Sequence, residues 1–177
     1  MTPEQIALVR ASFAQVLPIA DAAAALFYDR LFALDPSLRP LFRDDLTAQG
    51  RALMGLLREA VLGLDRLDRL VPEVRELGRR HAGYGVEDRH YATVAAALLW
   101  TLERGLGAAF TPETRAAWTA AYTLLATVMQ EGAAGRPRPR AGVGSPAPAS
   151  AGAGDPTPAR GRGRPAAPSC MTVASRV

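Results

Sequence analysis

Two near-identical openings constrain this chain most. Thr2-Pro3-Glu4-Gln5 supplies an N-cap, a proline in the first helical turn and a capping-box glutamine, and Thr111-Pro112-Glu113 repeats the start of that signature. Between and after them, apolar residues recur at three- and four-residue intervals. No segment shows the two-residue alternation, bounded by hairpin turns, that a strand requires. The expected fold class is therefore all-α.

The helices can be placed one by one. Ile6, Val9, Phe13 and Val16 mark the apolar face of a first helix that ends at Pro18, and a second runs to Leu34, burying Ala23, Phe27 and Leu31. Asp35-Pro36 stops it and starts a short helical turn, Ser37 to Leu41, closed by Phe42. A third helix from Leu46 to about Leu62 puts Gln49, Leu53, Leu56, Leu57 and Ala60 on one face. Residues 65–70 read as a connection, and Pro72 as the opening of a fourth helix, ended by Gly83 and Gly85, each able to take a positive φ. A fifth, from about Asp88 to Leu106, turns Tyr91, Val94, Leu98 and Leu102 inward, and the last buries Trp118, Tyr122, Leu125 and Met129.

Charge divides the chain in two. All 21 basic residues are arginine, and the net charge is +4. Residues 132–177 hold seven arginines and one acid, whereas residues 1–131 hold 14 arginines and 16 acids. The first segment therefore carries no basic footprint for nucleic acid. In the second, alanine, glycine, proline and arginine make up 34 of 46 residues and aromatics are absent. It is expected to be a disordered tail following a single domain at 1–131, because it lacks the apolar surface that offsets chain ordering. The one cysteine, Cys170, lies in that tail, so no intrachain disulfide is expected. The N-terminus lacks the basic-then-apolar order of a signal peptide, and Asp21, Asp29 and Arg30 interrupt the best candidate for a membrane span. A soluble cytoplasmic protein, monomeric or paired through the apolar faces of its last two helices, is expected.

The chain has two histidines, His81 and His90. Val74, Leu77, Gly78 and His81 follow one stripe of the fourth helix, so the His81 imidazole faces inward just before a Gly-x-Gly break. That placement suits a metal ligand and equally a core histidine bonded to a carbonyl. Three further residues stand out: Tyr28, a polar aromatic in an apolar helix beside Phe27 and Phe32; Phe42, at a corner; and Gln49, an amide on an apolar face. Singly, each also reads as a core tyrosine with a satisfied hydroxyl, ordinary packing, or a surface glutamine.

In their joint order these residues resemble the globin family, specifically bacterial single-domain globins and the haem domain of flavohaemoglobins. The matching motifs are Leu26-Phe27-Tyr28-Asp29-Arg30-Leu31-Phe32, Asp35-Pro36-Ser37-Leu38-Arg39-Pro40-Leu41-Phe42, the stretch from Arg80-His81 to His90-Tyr91, and Trp118-Thr119-Ala120-Ala121-Tyr122. They cover roughly residues 3–131. The resemblance implies a three-on-three helical sandwich around a pocket for haem b. His81 matches the proximal histidine that binds the iron, and Phe42 the phenylalanine that packs on the porphyrin. Tyr28 matches the distal tyrosine of bacterial globins, with Gln49 and Leu53 at distal positions on the facing helix. Tyr91 matches a tyrosine that orients the proximal histidine, and Val86 a residue near the haem edge. His90 is expected as an exposed residue at a helix start, with a haem-propionate contact as the alternative.

The implied function is reversible binding of O2, with NO and CO as further ligands, at a pentacoordinate or weakly hexacoordinate iron. A tyrosine hydroxyl and a glutamine amide in a dry pocket would hold O2 and slow its release, which suits storage better than bulk carriage. Nitric oxide dioxygenation with an external reductase, and gas sensing, are the alternatives. One departure matters: flavohaemoglobins carry a glutamate in the last helix that bonds the proximal histidine, and the matching position here is Ala133, with Glu131 two residues early.

Overall fold

The computed structural model describes residues 1–42 and 45–135. Six α-helices follow one another: α1 (Pro3–Val16), α2 (Ala20–Leu34), α3 (Leu46–Gly63), α4 (Leu67–Gly83), α5 (Asp88–Leu106) and α6 (Pro112–Ala134). Short 3-10 turns occupy Leu17–Ile19, Pro36–Leu41 and Gly107–Ala109, and no strand occurs among the described residues. The expected disordered tail lies almost wholly outside the described residues; α6 itself continues past Glu131 to Ala134.

Local chemistry sets most boundaries. Thr2 and Gln5 form the expected capping box, with Gln5 N donating to Thr2 Oγ1 at 3.2 Å and Thr2 N to Gln5 Oε1 at 3.0 Å. Thr111 caps α6 by accepting from Thr114 N at 3.2 Å, and Asp45 caps α3 by accepting from Ala48 N at 2.9 Å. Two expectations need correcting. Helix α4 begins at Leu67, so residues 67–70 are not a connection and Pro72 lies inside the helix. Proline at that point removes one main-chain donor while Leu70 and Val74 stay buried on either side of it. Of the two glycines that end α4, only Gly85 takes a left-handed conformation, with φ +86°; Gly83 is the last helical residue.

The first, third and fourth helices pack over the second, fifth and sixth, a three-on-three sandwich whose most extensive contact is between α4 and α6. The core runs from Val9 and Phe13 through Phe27, Leu31 and Leu98 to Trp118 and Val128. Fully burying one such side chain contributes roughly 1.5–3 kcal/mol. The stretch Pro3–Leu34 is long and apolar enough, at mean hydropathy 1.4, to cross a membrane by composition. Here it is folded at the Leu17–Ile19 turn, and its two helices deliver Val9, Phe13, Phe27 and Leu31 to the core.

Candidate functional site

Helix α2 delivers Tyr28 to the interior, where it is 1% exposed. Its ring lies 5.2 Å from Phe27, 6.0 Å from Phe32 in a stacked arrangement, and 5.5 Å edge-on from Phe42. Phe42 in turn meets Phe32 at 5.4 Å. The 3-10 turn makes this possible: Phe42 N donates to Arg39 O at 3.1 Å, and the extended backbone of Phe42 swings its ring back over α2. Burial pushes the Tyr28 phenol above the ordinary tyrosine range, so it stays protonated and can donate.

Helix α3 crosses α2 at close quarters. A Cβ on Gly50 would come within 2.8 Å of Ala24 Cβ and 3.9 Å of Tyr28 Cε2, so only glycine lets the helices approach this far. The adjacent Gln49 is 5% exposed, on the inner side of α3 and not at the surface. Leu53, one turn on, lines a small apolar pocket with Phe27, Met54 and Leu98. Tyr28, Phe42, Gln49 and Leu53 are thus drawn to the α2–α3 side of the molecule.

His81 stands in the last turn of α4. Its Nδ1 donates to the carbonyl of Leu77 at 2.9 Å, which leaves the Nε2 lone pair for another partner. Burial holds the imidazole below the ordinary histidine range; the Leu77 carbonyl opposes this shift and the Arg80 guanidinium adds to it. The ring is therefore neutral near pH 7, the form that binds metals. The His81 carbonyl accepts from both Tyr84 N at 3.0 Å and Val86 N at 3.2 Å, which folds the chain sharply and places Val86 just beyond the histidine. Gly85, at the apex, sits against Leu41, so the turn after His81 abuts the turn that carries Phe42.

Tyr91 is buried on α5, and its carbonyl accepts from Tyr122 Oη at 2.7 Å. His90 departs from expectation. It is 5% exposed, and its Nδ1 accepts from Glu87 N at 3.0 Å, making it a buried capping residue of α5 rather than an exposed one. Glu131 does not approach His81 through a side-chain bond; its carboxylate pairs with Arg75 at 3.0 Å. The residue types suit haem: a neutral imidazole whose Nδ1 is committed to a carbonyl, and a buried phenol and amide on α2 and α3. Met54, Phe32 and Leu41 belong to the same surroundings and were not singled out from the sequence, because nothing in their spacing separates them from ordinary core.

The globin family model matches residues 25–129. The chain belongs to the globin family. Its curated relatives are flavohemoproteins: that of Bordetella parapertussis is 32% identical over 132 residues, 73% of this chain and 33% of the relative, and that of Vibrio cholerae is 31% identical over 139 residues, 75% and 35%. This globin spans about a third of their length. Among solved structures, a hexacoordinated heme protein from an anhydrobiotic tardigrade superposes with a TM-score of 0.69 at 17% identity, covering 76% of this chain and 96% of that one. That likeness speaks for the fold.

Proposed function

We propose that this globin holds haem b through His81 and reversibly binds O2, with NO and CO as further ligands. The observation that carries the reading is the His81 imidazole, whose Nδ1 proton is committed to the Leu77 carbonyl while Nε2 is left free to ligate. When bound, haem supplies a ferrous iron that takes up diatomic gases. The protein supplies the rest. Phe42 and Val86 would pack against the porphyrin, and Leu53 with Phe27 keeps water out of the distal side. Tyr28, protonated because it is buried, and Gln49 would donate hydrogen bonds to a gas ligand that gathers negative charge. Tyr91 would sit behind His81 and limit rotation of its ring.

A backbone carbonyl is a weaker acceptor than a carboxylate. His81 therefore remains a neutral imidazole with modest electron donation, which suits holding a gas more than activating it. A second reading, nitric oxide dioxygenation with an external reductase, draws support from the flavohemoprotein relatives. It is weakened by Ala133 at the position of the family's glutamate and by the engagement of Glu131 with Arg75.

Absorption spectra of the purified protein, reduced, oxidised and CO-bound, test the assignment. A Soret band that disappears in His81→Ala supports it; an unchanged band in that variant sinks it. Sustained NO consumption with a supplied reductase, faster than a single oxidation of the gas-loaded protein allows, would favour the second reading.

A further inference from the structure

Helices usually pack 8–10 Å apart with side chains between them. Helices α4 and α6 meet at two points where a glycine stands in place of a side chain. A Cβ on Gly78 would overlap the carbonyl oxygen of Met129 and lie 2.6 Å from Met129 Cα; a Cβ on Gly132 would overlap the carbonyl oxygen of Arg75 and lie 2.9 Å from its carbonyl carbon. Each helix thus receives the other's backbone at a glycine. The Arg75–Glu131 ion pair, 3.0 Å long, bridges the same contact from the side.

Gly78 precedes His81 by less than one helical turn, and its neighbour Leu77 holds the imidazole through Nδ1. Whatever moves this contact moves the Leu77 carbonyl and His81 together. We propose that the backbone contact of Gly78 and Gly132 sets the depth and tilt at which His81 presents Nε2, making both glycines positioning residues for the proximal ligand. In a chain with Ala133 where a carboxylate would brace the imidazole, the bracing comes from helix against helix. The proposal rests on the haem reading above.

The test is resonance Raman spectroscopy of the full-length ferrous protein, reading the iron–histidine stretch, with the C–O stretch of the CO complex read in parallel by infrared. Gly78→Ala and Gly132→Ala should lower the iron–histidine frequency, speed haem loss several-fold and leave the C–O stretch in place. Gly50→Ala, which crowds α2 against α3 instead, should move the C–O stretch and leave the iron–histidine band. Gly132 lies near the end of α6, where a helix yields by fraying, so its variant folds even where Gly78→Ala does not. An unmoved iron–histidine band in a haem-loaded glycine variant overturns the proposal. So does loss of helicity in both variants, since the contact would then support the fold and not the ligand. Wild-type protein that takes up no haem overturns the haem reading itself, and this proposal with it.

Discussion

Trp118 Nε1 donates to Ser12 Oγ at 2.8 Å, joining α6 to α1 inside the core, and Ser12 Oγ donates in turn to the carbonyl of Leu8 or Val9. The bond satisfies the only polar atom of a large ring that is otherwise dry. Ser12→Ala should therefore strand the indole N–H and destabilise the fold by about 1–3 kcal/mol, read by urea unfolding. Trp118→Phe, which removes the donor together with its need, should leave haem spectra unaltered while costing stability through lost packing against Phe13.

Tyr28 offers the cleanest separation of donor from shape. Tyr28→Phe keeps the ring among Phe27, Phe32 and Phe42 and deletes the hydroxyl. One net hydrogen bond is worth about 1 kcal/mol, so O2 release in stopped flow should accelerate roughly fivefold. An unchanged rate removes Tyr28 from the donor role.

The depressed His81 fixes the sign of a pH effect in the haem-free protein. Its native form resists protonation, so the unfolded chain binds the proton more readily and stability rises with pH there. The contribution is present above the ordinary histidine range, near pH 6.5, and is lost as pH falls through the lower native value. Thermal unfolding from pH 7.5 to 5 should show this slope, and His81→Gln should flatten it. A slope that persists in the variant removes His81 as its source.

Gly50→Ala tests the distal crossing. The added methyl meets Ala24 Cβ at 2.8 Å, too close for either helix to absorb without shifting. Overpacking of this kind costs about 1–3 kcal/mol, measurable as a lowered melting temperature.

The helices were legible where their ends carry side-chain chemistry. Thr2, Asp45 and Thr111 each bond the chain three residues on, a signal contained within four letters of sequence. The start of α4 was not legible, because Arg66 makes no side-chain cap there and Pro72 mimics a helix opening. The site divides in the same way. The inward face of His81 follows from helical period alone, and the burial of Tyr28 from the apolar run around it. Gln49 and His90 were harder to read, since the stripe that places them says nothing about which neighbouring helix covers them. The role of Gly78 is invisible in sequence: a glycine carries no mark of the carbonyl that will approach it from α6, some fifty residues away.

That distance has a temporal meaning. A chain emerging from the ribosome presents α2, the Phe42 turn and α3 before α4, so the side that carries Tyr28 and Gln49 can assemble early. The helix that bears His81 leans most on α6, the last of the described helices. Cofactor capture should therefore wait until synthesis has passed residue 132, and a nascent chain stalled before that point should bind haem loosely or not at all.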